Sequence, residues 1–289
     1  MDIEFIKTLS SKIALQSEGY NKAISLLESE PQKLLKIANK TTLKNSTKIS
    51  NAIFLNRANG AVLSLAVSLI LLERAYFEYK KREIPDEIFL SSMSDIAIWV
   101  NTAKREENID GLLEFNWLRH TLFLNLFRIG RLQFQFEKTN YLICGVNRND
   151  VKKAPIKNRE PVLSIHIPED GKLILNDCEK SISDAKVFFK KYYPKYDFKG
   201  FICNSWLLDP KNKEFMSESS NIILFSKLFD TVYSESFTNT EIVKRLWGKN
   251  TYDLAQVKDF PVNTDLEKRA KDYILKGNKT GNGYGLILI

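Results

Sequence analysis

Hydrophobic side chains recur every three or four residues through the first part of the chain, which is the spacing of one face of an α-helix. Ile3, Ile6 and Leu9 share one such face. A long apolar stretch predicts a helix over 51–81, and Ser92 with Asp95 three residues later predicts the start of another. The spacing therefore predicts a bundle of about four to six helices.

The period changes from helical spacing to alternation just after Arg128. Leu132, Phe134 and Phe136 alternate with polar residues, which is typical of a strand with one buried face. This change places a domain boundary near Arg128. We expect a helical domain at 1–128 and a second domain at 129–289.

Strand-like and helical stretches alternate through the second part of the chain. Strands are predicted at 162–167 and 201–208, with helices at 181–193 and 218–229. Further helices are predicted to begin at Thr238 and at Thr264, each with a glutamate three residues later. Three closely spaced glycines predict a tight turn before a final strand at 286–289, and a hairpin strand is predicted at 141–146. The predicted fold class is α+β, with a mixed β-sheet flanked by helices.

Composition and length restrict the classes of protein that remain. The longest apolar run, 61–72, is shorter than the ~18–20 residues of a bilayer span, so we expect no membrane partner. Three widely spaced cysteines and two histidines offer no metal-ligand spacing, so we expect no metal. We interpret the cysteines as reduced thiols of a cytoplasmic protein.

The net charge of +8 is unevenly distributed. Residues 1–128 hold 17 Lys and Arg against 15 Asp and Glu, whereas residues 129–289 hold 26 against 20. A loop at 148–159 is especially basic. Such a field attracts polyanions, and nucleic acid or a phosphate-bearing cofactor would benefit equally. Since the sequence has no recognised nucleic-acid motif and no dense arginine stripe, we do not predict nucleic acid as a partner.

Several short motifs resemble one known family. They are W-L-R-H at 117–120, F-R-I-G-R-L-Q-F at 127–134, H-I-P-E-D-G-K-L at 166–173, S-W-L-L at 205–208, S-N-I at 220–222 and T-D-L-E-K-R-A at 264–270. With these motifs the chain resembles the two-domain GNAT-like acyltransferases of bacteria, which join a helical N-terminal domain to a GNAT-like C-terminal domain.

The resemblance implies transfer of an acyl group from acetyl-CoA or another acyl-CoA to an amine of a small-molecule or peptide acceptor. It also implies that the strand at 162–167 separates from the strand at 201–208, leaving a gap for the acyl-pantetheine arm. GNAT enzymes hold the CoA pyrophosphate with a Q/R-x-x-G-x-G/A loop, but the corresponding stretch 169–183 holds only Gly171. The alternative function is therefore a non-catalytic module that binds CoA or another phosphate-bearing ligand.

Four residues are candidates for acid–base chemistry. Alternation places His166 on one strand face with Ser164, so His166 is the first candidate to take a proton from an attacking amine. Glu137 and Glu169 are the candidate carboxylate bases, and Tyr284 is the candidate acid for the departing thiolate. The alternatives are a histidine that only bonds a turn, two surface carboxylates, and a tyrosine within a glycine-rich turn.

The remaining candidates would contact the cofactor. Ile165, Ile167 and Ser205 belong to the two central strands, and Ser181, Ser183 and Lys186 belong to the opening of the following helix, where free backbone amides favour an anion. Ser181 is equally a helix cap, and lysines on a helix often form only a solvated face. Cys203 on the second strand predicts a buried structural thiol rather than a nucleophile.

Overall fold

The computed structural model describes residues 1–141, 151, 154–235, 238–248 and 254–289. By internal packing the chain divides into two compact units. The first comprises Met1–Gln135 with Pro168–Asp170, and the second comprises Phe136–Ile167 with Gly171–Ile289. Residues 142–146 of the predicted hairpin strand, and 148–150, 152 and 153 of the basic loop, lie outside the described residues.

The first unit is mainly helical. Its eight helices, all within the described residues, are α1 (Ile3–Lys12), α2 (Glu18–Ser29), α3 (Pro31–Lys40), α4 (Thr47–Leu55), α5 (Arg57–Lys81), α6 (Asp86–Met93), α7 (Asp95–Glu107) and α8 (Phe115–Leu122). The predicted count of four to six was too low. The predicted helix over 51–81 is two helices, because Asn56 ends α4 and its side chain caps α5 by accepting a hydrogen bond from Asn59 N–H.

The long helix α5 forms the centre of the first unit. Fourteen of its 25 residues are buried, including both serines of its apolar stretch, Ser64 and Ser68. The Ser68 hydroxyl donates to the Ser64 carbonyl at 2.8 Å, so this polar atom is satisfied inside the core. By length and composition α5 could also cross a membrane, but 72% of its apolar window is buried within the protein, as expected of a core helix.

The first unit also contains a β-hairpin. Strand β1 (Leu126–Ile129) pairs antiparallel with the start of β2 (Leu132–Lys138), with Ile129 opposite Leu132. Gly130 in the turn has φ of 64°, a left-handed conformation that glycine adopts without a steric penalty. The predicted alternating strand after Arg128 is confirmed.

The second unit is built on a mixed sheet. Its strand order is the end of β2, then β3 (Pro161–His166), β4 (Gly200–Ser205), β6 (Asn282–Leu288) and β5 (Asp230–Glu235). β3 and β4 are parallel, whereas β6 is antiparallel to both β4 and β5. The predicted α+β class with a mixed sheet is confirmed.

Four helices belong to the second unit as described: α9 (Leu175–Tyr192), α10 (Asn221–Ser226), α11 (Thr240–Trp247) and α12 (Asp265–Leu275). The predicted helix at 218–229 is only six residues long, and β5 follows it where no strand was predicted. The predicted capping box of α12 is present, since Thr264 and Glu267 each bond the other's backbone N–H. Short 3₁₀ turns at Trp206–Leu208, Pro210–Glu214 and Leu254–Asp259 complete the unit.

Candidate active site

The ladder between the two parallel strands ends before the strands do. Leu163 is registered with Phe201 and Ser164 with Ile202. Ile165 and His166, the last two residues of β3, have no registered partner among the described residues of β4. β6 pairs with the whole of β4 along its other edge, from Gly200 opposite Leu288 to Ser205 opposite Gly283. The carboxyl end of β3 therefore extends past its ladder with β4. The gap for an acyl-pantetheine arm that the resemblance implies stays a prediction.

His166 is the last residue of β3 and lies beyond this ladder, where it is half-buried. Alternation places it on the same strand face as Ser164, two residues earlier. A side chain at this position can be reached from solvent and from the end of the ladder. Its position thus suits the predicted proton acceptor, and the role itself stays a prediction.

Glu137 lies on the neighbouring strand β2, and its carboxylate accepts a hydrogen bond from the buried Ser164 hydroxyl. Partial burial of the carboxyl raises the pKa of Glu137, while the bond from Ser164 lowers it to a smaller extent. The residue as a whole remains accessible to water, so the carboxyl can still exchange protons with solvent. Ser164 thus connects the strand face of His166 with an ionisable carboxyl of raised pKa.

Tyr196 joins the same two strands, and sequence analysis did not single it out. Its hydroxyl donates to the Glu137 carbonyl at 2.5 Å and to the Val162 carbonyl at 2.9 Å. Burial is the main cause of the raised pKa of Tyr196. No sequence pattern marks this residue, because both acceptors are backbone atoms of strands distant in the chain. Tyr196 holds the Glu137 backbone against β3.

Glu169 has a different environment, in the first unit. Its carboxylate accepts hydrogen bonds from the Thr102 hydroxyl at 2.7 Å and from the Arg105 guanidinium at 2.9 Å. The next residue, Asp170, receives two bonds from Arg128, at 2.6 and 3.1 Å. These contacts anchor 168–170 to the helical unit and favour a structural role for Glu169 over the predicted role of base.

The helix that follows β3 begins earlier than predicted. α9 starts at Leu175, and the first described bond of its ladder runs from Cys178 N–H to the Ile174 carbonyl. The prediction that Ser181 opens this helix is wrong, because Ser181 and Ser183 lie in its interior, where backbone amides bond to the preceding turn. Ser181 is buried, whereas Ser183 and Lys186 are exposed. The amides at the start of α9 are those of 175–177.

The strand residues predicted to contact the cofactor differ in exposure. Ile165 is buried at 2% exposure, and Ile167 is half-buried just after β3. Ser205 ends β4, where its hydroxyl accepts a bond from Leu207 N–H and so caps the following 3₁₀ turn. Burial raises the pKa of the Cys203 thiol to about 12, so this cysteine is a neutral thiol at physiological pH, as expected for a structural residue.

The glycine-rich stretch near the C-terminus forms a strand rather than the predicted tight turn. β6 begins at Asn282, and none of Gly281, Gly283 and Gly285, all described, has positive φ. A Cβ added at Gly283 would lie 2.2 Å from the Leu208 carbonyl oxygen, so glycine is needed there for close approach of the 3₁₀ turn. Tyr284 is 2% exposed and packs edge-on against Tyr141, which suits a core residue. Its predicted role as an acid stays a prediction.

The described part of the chain holds no group of three or more His, Cys, Asp or Glu side chains placed to bind a metal ion. The polar groups around β3 are instead single proton-exchanging or hydrogen-bonding side chains. Such side chains can exchange a proton or form a hydrogen bond with a substrate that carries its own reactive group.

The fold and this strand arrangement define a class, the GNAT-like acyltransferases. Residues 126–287 match the model of the GNAT-like C-terminal domain, and residues 4–123 match that of the N-acyltransferase N-terminal domain. The chain belongs to this two-domain GNAT-like N-acyltransferase family, which confirms the resemblance seen in the sequence. Acyl transfer is the activity that defines the family.

Solved structures agree with this assignment at the level of fold. A mutant acyltransferase in complex with octanoyl-CoA matches with a TM-score of 0.76 and 18% identity, over 99% of this chain and 88% of that chain. An acyltransferase in complex with decanoyl-CoA and teicoplanin also matches with a TM-score of 0.76, at 19% identity and the same coverage. An acyltransferase in complex with decanoyl-CoA matches over the whole of both chains, with a TM-score of 0.65 and 20% identity. A search of curated proteins finds no significant match.

Proposed function

We propose that this protein transfers an acyl group from a CoA thioester to an amine of a small-molecule or peptide-like acceptor. The observation that carries the proposal is the early end of the β3–β4 ladder in a domain of the GNAT-like family. Similar structures contain octanoyl-CoA or decanoyl-CoA, and two contain the glycopeptide teicoplanin or 10C-teicoplanin. We therefore extend the proposed donors from acetyl-CoA to medium-chain acyl-CoA.

The proposed reaction is a direct attack on the thioester. The amine nitrogen forms a bond to the thioester carbonyl carbon, and the carbon–sulfur bond breaks. The proton lost from nitrogen passes to His166 or Glu137, and the departing thiolate gains a proton to leave as free CoA. An enzyme nucleophile is not required, which agrees with the neutral, buried Cys203 thiol.

In this proposal the CoA phosphates lie at the start of α9. The first amides of a helix have no partner within it, and the helix dipole favours an anion there. Lys172, three residues before α9, adds a positive charge, whereas Asp177 in the first turn adds a negative one. Lys172 should therefore attract the phosphates and Asp177 should repel them.

Equilibrium titration with CoA and decanoyl-CoA at two ionic strengths tests the binding step. We expect salt-sensitive binding, weakened several-fold by Lys172→Gln and tightened several-fold by Asp177→Asn. Lys186→Gln is the matched control and should change affinity less than about twofold, because Lys186 lies in the fourth turn of α9, far from the helix start. Absence of binding at millimolar ligand and low salt would overturn the proposal.

A second assay separates an enzyme from a binding module. The single glycine of 169–183 is the observation that favours the module, because the family's phosphate loop is rich in glycine. Free thiol released from decanoyl-CoA should be measured against a mixed pool of amines and peptides. Release that depends on the amine supports transfer, whereas tight CoA binding without release supports the module.

A further inference from the structure

The surface formed by α3 and α4 in the first unit has an unusual charge distribution. Residues 31–57 contain six Lys and Arg, and no Asp or Glu occurs between Pro31 and Leu72. Lys33 pairs with Glu30, and Arg57 pairs with Glu107. The other four cations, Lys36, Lys40, Lys44 and Lys48, are exposed and have no ion pair among the described residues. This surface therefore has a positive charge that the unit itself leaves uncompensated.

Two large hydrophobic side chains project from the end of α4. Phe54 is 86% exposed and Leu55 is 82% exposed, and the next most exposed large hydrophobic residue of the described chain, Val187, is at 67%. Single exposed hydrophobic residues are ordinary, but two adjacent ones at this level leave a continuous apolar tip in water. Such a tip gains stability when another apolar phase covers it.

The tip is held on a fixed scaffold. The Asn56 N–H donates to the Ala52 carbonyl at 3.0 Å, which ends α4, and the Asn56 side chain caps α5. Gly60 lies so close to α4 that an added Cβ would be 2.5 Å from the Ala52 carbonyl. Because α4 and α5 are locked by this cap and close packing, Phe54 and Leu55 cannot turn inward without breaking the helix hairpin.

The cations and the apolar tip lie side by side. A cleft of about 440 Å³ is lined by Lys33, Lys36 and Lys48 together with Ile37, Ala52 and Leu55. Leu55 therefore belongs both to the exposed tip and to a cleft with a cationic rim. This combination matches an amphiphile with negatively charged head groups above an apolar layer.

We propose that the α3–α4 surface, defined by Lys36, Lys48, Phe54 and Leu55, docks reversibly on an anionic lipid membrane. The lysines would contact the head groups, while Phe54 and Leu55 enter the acyl boundary. We favour lipid over an acidic protein because the two hydrophobic side chains protrude from a helix hairpin, whereas a protein partner requires a matched cavity. This revises the expectation of no membrane partner, which rested only on the length of the apolar run.

Flotation of the full chain with lipid vesicles tests the proposal. Vesicles of phosphatidylglycerol and phosphatidylcholine should bind the protein at low salt, and vesicles of phosphatidylcholine alone should not. The double change Phe54→Ser with Leu55→Ser should weaken binding at least about tenfold, and Lys36→Gln with Lys48→Gln should weaken it several-fold and reduce the salt dependence.

Val187→Ser is the matched control, because Val187 is an exposed hydrophobic residue of α9 in the second unit. It should leave vesicle binding unchanged, and thermal melting should be measured for every variant. If the serine pair unfolds the protein, the lysine pair carries the test alone. Equal binding of wild type and both paired variants would overturn the proposal, as would binding to polyglutamate without binding to anionic vesicles.

Discussion

Two carboxyl groups with raised pKa, one in each unit, lie in contrasting surroundings. Asp95 of the first unit is 3% exposed, and burial raises its pKa to about 6. The Trp117 indole N–H donates to it at 3.1 Å, and the Gln133 side chain is a second hydrogen-bond partner. Glu137 of the second unit also has a raised pKa, but it remains accessible to water beside Ser164 on the strand face of His166.

The contrast shows that a raised pKa alone does not identify a catalytic carboxyl. A buried carboxyl surrounded by fixed donors specifies packing, because a substrate atom has no route to it. An accessible carboxyl beside an open ladder end can exchange a proton with a bound substrate. We therefore assign a structural role to Asp95 and keep Glu137 with His166 as the candidate acid–base pair.

The largest expected effect is a loss of turnover on replacing His166, which the other histidine of the chain, His120, should not share. His166→Ala should lower turnover about 10²-fold or more at nearly unchanged acyl-CoA affinity, since a positioned proton carrier is lost. The measurement is thiol release per folded protein, together with thermal melting of the same preparation. Undiminished thiol release from a folded variant would remove His166 from the mechanism.

His120 provides the matched control in the first unit. Its Nδ1 lies 3.0 Å from both Asn125 Nδ2 and Gln135 Nε2, and burial together with the charge of Arg119 lowers its pKa. His120→Ala should therefore cost about 1–3 kcal/mol of stability through the unpaired amides. Turnover per folded protein should stay within about twofold of wild type.

The sequence identified elements more reliably than it identified their ends. The change of period after Arg128 and the Thr264 capping box are local signals, and both are present in the structure. The start of α9 was misplaced because Ser181 resembles a cap, while the actual N-cap, Ile174, makes no side-chain bond. β5 was missed because its place in the sheet depends on pairing with β6, which is remote in sequence.

The candidate site was only partly visible in the sequence. Strand alternation placed Ser164 and His166 on one face, but the bond from Ser164 to Glu137 depends on which strand lies beside β3. Similarly, only the packing of the first unit places Arg105 next to Glu169. The class of the acceptor and the domain boundary at Arg128 stay predictions. The cytoplasmic location and the bacterial source of the protein stay predictions as well.

A smaller effect concerns how the free energy of unfolding depends on pH, which should distinguish the carboxyl of Asp95 from that of Glu137. The folded-state pKa of Asp95 is raised from 3.8 to about 6, so the folded state binds more protons than the unfolded state between those values. The free energy of unfolding should therefore fall as pH rises through this window, by about 3 kcal/mol. Asp95→Asn keeps an acceptor for Trp117 and should remove that fall.

Urea unfolding of wild type and Asp95→Asn from below pH 3.8 to above pH 6 measures this difference, because these two pKa values of Asp95 bound the window. Glu137→Gln is the comparison variant. It removes the contribution of the Glu137 carboxyl, whose pKa is also raised, and should retain the part of the fall that belongs to Asp95. An identical pH dependence in wild type and Asp95→Asn would show that Asp95 is not buried as described.

The smallest expected effect concerns the bond between Ser164 and Glu137. Since this bond lowers the pKa of Glu137, Ser164→Ala should raise that pKa further. A base acts in its deprotonated form, so the acidic limb of the plot of kcat/KM against pH should move to higher pH. Turnover above the limb should stay within about twofold of wild type.

Ser68→Ala, which removes a buried hydroxyl bonded to Ser64 in the first unit, is the matched control and should not move the limb. Each variant should cost about 1 kcal/mol of stability. If the limb stays in place in Ser164→Ala and Glu137→Gln remains fully active, the proton acceptor is His166 alone.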